Sequence, residues 1–354
     1  GHEVHVWTVD EPADVELCLE LGVYTGAGRV PRPGGPPVKF RLARRTVALV
    51  AALAALAAVP TVSAAQSTSA PEDPYRVSAA ERPGAHRQFA VGPQYDSTHV
   101  YVEPGTQQAF VTSWTATFGG TTIGPVSTQV TPTPSRTLSE LVVSPVGTLS
   151  VFDFTTPIPY PFGTERTGWL VTDLDQAVRA ARADGASVTV APFADPIGRD
   201  AVVQFPGGIS AQLYVHTTPP SYPALASVPE NRLYLSPDAV GDFLHSYLSF
   251  TGGRIVSDDR RADGAALGLP GTTYRLLRLT SGFGTTTVAV TDGHLPHPFG
   301  RELTGYGVPD LGATLDRARA AGASVLWGPV RAGGRDSAMV RFPGGYVAEI
   351  HTDR

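Results

Sequence analysis

Residues Thr167 to Val188 read TGWLVTDLDQAVRAARADGASV, and residues Thr304 to Val325 read TGYGVPDLGATLDRARAAGASV, with 12 of 22 positions identical at an offset of 137. Each stretch opens on a short β-prone run and then sets an aspartate, Asp173 or Asp310, directly ahead of apolar residues at helical spacing. Leu174, Ala177, Val178 and Ala181 form the stripe in one copy; Leu311, Thr314, Leu315 and Ala318 form it in the other, the threonine being its weak member. The aspartate can accept hydrogen bonds from first-turn N–H groups that have no partner inside the helix, helped in the first copy by Gln176. Gly185 or Gly322 supplies the left-handed stop. A strand, a capped helix and a return strand are thus encoded twice.

The likeness extends outward, which marks an internal repeat. THVYVEPGTQQAFVTSWTATFGG (Thr98 to Gly120) lines up without a gap on NRLYLSPDAVGDFLHSYLSFTGG (Asn231 to Gly253), PFGTERTG on PFGRELTG, and FPGGISAQLYVH on FPGGYVAEIH. Each copy has the size of a complete domain able to bury its own core. Within the first copy, β-prone runs fall at His99 to Val102, Thr121 to Val130, Thr137 to Ser144 and Thr148 to Phe154, with a helix predicted over Thr106 to Thr117. Arg166 to Val171 then opens a second half-unit, with the helix from Leu174 and strands near Val188, Ala201 and Ile209. Strand, helix and three strands, twice per copy, is a pair of βαβββ modules. Pro-Gly-Gly at 206 to 208 and 343 to 345 sets the last hairpin of each copy.

The net charge of −5 gives no nucleic-acid footprint. Cys18 is the only cysteine and lies outside the repeats, so the main body has neither a disulfide frame nor a cysteine metal site. Residues 39 to 65 carry Lys39, Arg41, Arg44 and Arg45, then an apolar run from Val47 to Val59, then small residues. That is the order of a secretory signal peptide, and its apolar run is too short for a stable membrane span. The segment after it, to residue 96, reads as a Ser- and Pro-rich linker. The expected division is therefore 1–37, a leading remnant; 38–65, signal peptide; 66–96, linker; 97–218 and 230–354, the two repeats. The expected location is secreted or cell-envelope, by Sec-type or twin-arginine export. The opening HEVHVWTVDEPADVELCLELGV resembles the end of glycerophosphodiester phosphodiesterases over residues 2–23, without that family's metal or acid–base residues.

The two repeats resemble the vicinal oxygen chelate superfamily, which includes glyoxalase I, extradiol dioxygenases and bleomycin-resistance proteins. The carriers are VTDLDQAVRAARADGASV, similar to that family's V-x-D-L-D-x-A-V...G-A-x-V phrase, and GGYVAEI, similar to its G-x-x-x-E-L strand. The resemblance implies an α+β fold of two tandem domains, each a pair of βαβββ modules forming an open U-shaped sheet. It also implies a divalent metal (Fe, Mn, Ni or Zn) held by His and carboxylate groups from the first, fourth, fifth and eighth strands. His99 matches the first position and Gln212 the eighth; the fifth falls on Arg166 or Thr167, and Asp153 is the carboxylate near the end of the fourth strand. In the second copy Glu349 stands at the last ligand position and is the expected catalytic carboxylate, but Arg232 or Asn231 replaces the first histidine and Leu303 or Thr304 the fifth-strand ligand. Neither copy carries a complete triad. Three outcomes stay open: a metal on His99, Asp153 and Gln212; a displaced site among His294, His297, Glu302, Glu349 and His351; or metal-free cups.

Trp169, Tyr306 and Arg166 are the expected substrate-pocket residues, whereas Trp114 and Tyr247, at one repeat position, are expected in the core. The repeated Arg199-Asp200 and Arg335-Asp336 read as structural hairpin pairs. The expected function is an exported protein acting on or binding a small molecule, as a metal-dependent lyase or dioxygenase or as a metal-free sequestering protein of the bleomycin-resistance type. A fragment of a phosphodiesterase fusion is the remote alternative. No nucleic-acid partner is expected, and the oligomeric state is open.

Overall fold

The computed structural model describes residues 94–354. The phosphodiesterase-like opening, the signal peptide and nearly all of the linker lie outside the described residues. Four modules follow one another. The first contains β1 (Asp96–Tyr101), α1 (Gln107–Phe118), β2 (Thr121–Thr128), β3 (Thr137–Ser144) and β4 (Gly147–Phe154). The second contains β5 (Gly168–Leu170), α2 (Leu174–Ala183), β6 (Ser187–Asp195), β7 (Gly198–Phe205) and β8 (Ile209–His216). The third contains β9 (Glu230–Leu235), α3 (Val240–Thr251), β10 (Arg254–Asp263), a 3-10 turn (Gly264–Leu267), β11 (Thr273–Ser281) and β12 (Gly284–Val290). The fourth contains β13 (Leu303–Gly307), α4 (Leu311–Ala320), β14 (Ser324–Ala332), β15 (Arg335–Arg341) and β16 (Val347–Asp353).

In each module the helix carries the chain to the far edge of the sheet and two antiparallel hairpins bring it back. The last strand therefore lies parallel beside the first, as in β1 with β4, β5 with β8, β9 with β12 and β13 with β16. In the second repeat β9 and β13 pair antiparallel and fuse the two modules into one eight-stranded sheet. In the first repeat a single bridge, Thr98 to Thr167, joins two four-stranded sheets. This is the expected α+β architecture of paired βαβββ modules.

The helices form as their sequence dictates. Asp173 accepts the N–H of Gln176, and Asp310 that of Ala313, each at 2.9 Å. Leu174, Ala177, Val178 and Ala181 are buried, as are Leu311, Thr314, Leu315 and Ala318. Gly185 (φ +96°) and Gly322 (φ +87°) end the helices in the left-handed region, where a side chain would be strained.

The cores do not follow the repeats. One cluster joins Trp169, Phe205 and Leu213 of the second module to Phe243, Tyr247, Phe250 and Phe283 of the third. The other joins Phe110, Trp114 and Leu149 of the first module to Tyr306, Leu315, Phe342 and Ile350 of the fourth. Trp114 meets Tyr306 edge-on with centroids 4.9 Å apart and lies 5.0 Å from Phe342; Trp169 stacks on Phe283 at 4.8 Å. The expectation that each copy buries its own core is thus corrected: the sheets follow the repeats, and the apolar faces behind them are shared across repeats. Trp114 and Tyr247 are core, as expected. Gln94, inside the expected linker, exchanges two hydrogen bonds with the backbone of Leu170 at 2.8 and 3.1 Å.

Candidate ligand-binding site

Alternation along the strands decides which side chains face each cup. In the first repeat Val100, Leu149, Val151 and Leu213 enter the cores, so His99, Tyr101, Ser150, Phe152, Gln212 and Tyr214 face the concave side. They form the floor of a cavity of about 260 Å³. Ile123, Val126, Leu141, Phe162 and Ile197 make its outer wall, and Asp96, Asp195 and Asp200 complete the lining.

His99 is buried, with Nδ1 3.4 Å from Glu165 Oε1. Tyr101 donates its hydroxyl to the same Glu165 oxygen. Burial, then the charge of Glu165, pushes the Tyr101 hydroxyl well above the usual phenol range, so it stays a neutral donor. The other imidazole nitrogen lies against Gly168: a Cβ built there would come within 2.7 Å of Nε2. Gly168 is also the register partner of Gln212 on β8. The fifth-strand position beside His99 is therefore glycine rather than Arg166 or Thr167.

That geometry does not suit a divalent metal. Nδ1 faces Glu165, Nε2 faces a glycine, and Gln212 offers only an amide oxygen. Asp153 faces the other way, accepting the N–H groups of Gly105 at 3.0 Å and Gln107 at 3.2 Å, so it caps α1 and is not a cup ligand. Among the described residues no group of three His, Cys, Asp or Glu side chains is placed to hold a metal ion.

The second cup is filled by its own side chains. Arg232 takes the register position of His99, opposite Thr287 where His99 stands opposite Ser150. Its guanidinium lies 2.7 Å from Glu230 and 3.6 Å from Glu349. Arg335 bonds Glu230 at 2.9 and 3.1 Å and Asp353 at 2.7 Å, and His351 Nδ1 lies 2.6 Å from Glu349. Leu267, Phe299, Leu303, Met339 and Val347 close the remainder. Glu349, expected as a catalytic or metal-binding group, is fully buried with Arg232, Arg335 and His351 against its carboxyl, and it lies in a different cup from His99. His294 is exposed beside Asp292 and does not join His351.

The other expected pocket residues also move. Trp169 and Tyr306 point into the shared cores, away from the cups. Arg166 sits over the Tyr101 ring at 5.8 Å, at a small crevice shared with Glu302 and Tyr346 of the second repeat. Asp96, Asp195, Asp200, Ser150 and Tyr214 escaped the sequence reading. Period-two spacing from Gln212 would have reached Tyr214, and from there its strand partner Asp200.

The strand order and register give the paired βαβββ fold that the sequence resemblance implied. It is similar to a triple mutant of 4-hydroxymandelate synthase from Streptomyces coelicolor, at 14% identity over 74% of this chain and 93% of that one, TM-score 0.49. It is also similar to a Mn(II)-bound glyoxalase from Novosphingobium aromaticivorans, at 14% identity over 73% and 82% of the two chains, TM-score 0.45. A third similar structure is the 2,3-dioxygenase LapB from Pseudomonas sp. KL28, at 13% identity over 73% and 91%, TM-score 0.43. No protein-family model and no curated protein matches the sequence. The fold stands on the strand order and register given above.

Proposed function

We propose that the chain binds a small molecule in the cup of its first repeat, using protein groups alone, and that the second repeat is its structural support. The observation that carries this is the difference between the cups: one holds a cavity of about 260 Å³ with an apolar wall and a polar floor, the other is closed by Arg232, Arg335, Glu230 and Glu349. An apolar enclosure with a few placed polar groups is the usual form of a small-molecule site. The division into repeats at 97–218 and 230–354, and delivery outside the cytoplasm by the leading segment, belong to the same proposal.

Two measurements test it. Elemental analysis of protein purified without chelators should find less than stoichiometric Mn, Fe, Ni or Zn, and none of these ions should raise the melting temperature. A screen of aromatic and aliphatic fragments should yield compounds that raise it, and Leu141→Trp, which fills the cavity, should remove their effect. One equivalent of tightly held metal, or fragment binding indifferent to Leu141→Trp, would overturn the proposal.

A further inference from the structure

Apart from His99 on the floor, the charged side chains lining the first cup are acidic. Asp96, Asp195 and Asp200 reach the cavity, and among the described residues no Lys or Arg lines it. The three aspartates are not equivalent. Asp96 is saturated, accepting the hydroxyls of Tyr222 at 2.8 Å, Ser150 at 3.0 Å and Tyr214 at 3.2 Å, with His216 Nε2 3.8 Å away. Asp195 accepts the N–H of Ile197 at 2.9 Å. The Asp200 carboxylate, on a residue 6% exposed, accepts no hydrogen bond from any described side chain or N–H. Its sequence neighbour Arg199 points to the opposite face of β7 and pairs with Asp175 at 3.0 Å.

A buried carboxylate without a donor is costly, and a cation or a strong donor arriving from the cavity relieves that cost. Resting on the reading of this cup as the ligand site, we infer that it selects organic cations, with an ammonium or amidinium head lodged against Asp200 and an apolar body along Leu141, Val126 and Ile197. Burial, followed by the charges of Asp195 and Asp96, holds the Asp200 carboxyl well above the usual carboxylate range. Burial also raises Asp195. The lining is thus suited to positive charge. An anionic ligand would meet three acidic groups and, among the described residues, no Lys or Arg.

Benzamidinium, benzamide and benzoate share one flat body and differ in charge. Calorimetric titration of the full chain should show benzamidinium binding roughly tenfold or more tightly than benzamide, and no binding of benzoate. Asp200→Asn should bring benzamidinium down to the benzamide level while leaving benzamide unchanged. Equal binding of all three probes, removed by Leu141→Trp, would overturn the cation preference and leave the cup as a ligand site. Binding of none of the three would overturn both. The wild-type comparison stands even if Asp200→Asn fails to fold.

Discussion

Arg232 and His99 share a register position, and the difference between a guanidinium and an imidazole decides what each cup contains. Burial alone would raise the Glu230 carboxyl, but Arg232 and Arg335 outweigh it and hold it at about 2, against an ordinary value of 4.5. A carboxylate depressed in the native state contributes stability that is complete above about pH 4.5 and is lost as pH falls toward about 2. Arg232→Met would leave Glu349 and Glu230 short of a partner in a buried site and should cost about 3–5 kcal/mol by denaturant titration. Glu302 behaves in the opposite sense. Burial pushes its carboxyl up to about 7, despite Asn231, Arg166 and Thr167. A raised acid contributes stability that is complete below its ordinary value and lost as pH rises through the folded one. Between about pH 5 and pH 8 the wild type should therefore lose on the order of 3 kcal/mol relative to Glu302→Gln. An identical pH dependence in the two proteins would refute this.

The strands and helices themselves were largely legible, because their signals are local. Aspartate before an apolar stripe, glycine after it and Pro-Gly-Gly between strands each fix a few neighbouring dihedrals. Asp173→Ala and Asp310→Ala should accordingly cost about 1 kcal/mol each in denaturation midpoint. Asp153→Asn should destabilise α1 similarly without altering ligand binding, since its carboxylate holds the N–H groups of Gly105 and Gln107. Cup contents were illegible because they depend on register between strands far apart in the chain. The repeated Gly-Arg-Asp shows why. Ala201 opposes Leu213 and Ala338 opposes Ile350, an offset of 137, whereas Arg199 and Arg335 are offset by 136. A slip of one residue turns a side chain to the other face. Arg335 therefore enters its cup and neutralises Glu230, Arg199 stays outside, and neither pairs with the aspartate beside it as a hairpin pair would. The shared Thr-Gly is a second case: Gly168 and Gly305 make room for His99 in one cup and Glu349 in the other, a role that sequence alone does not distinguish from a turn.

Crossing the cores between repeats changes what the duplication means for stability. A tandem pair in which each copy buried its own apolar face would unfold in two steps, and either half would fold alone. Here α1 of the first repeat lays Phe110 and Trp114 against Phe342 and Tyr346 of the second, with ring centroids 5.0 to 6.2 Å apart. Trp169 and Phe205 return the arrangement against Tyr247 of the second repeat at 5.8 and 5.6 Å. Separating the repeats would expose both clusters at once, so neither half retains a closed core. Calorimetry of residues 94–354 should give one transition whose calorimetric and van't Hoff enthalpies agree. Residues 94–218 expressed alone should lack near-ultraviolet circular dichroism. Trp114→Ala should destabilise the whole transition by about 3–5 kcal/mol, moving the midpoint of the second repeat together with that of the first. Two resolved transitions, with only the first shifted by Trp114→Ala, would show that the repeats are energetically independent and that the shared cores are contacts between separately stable units.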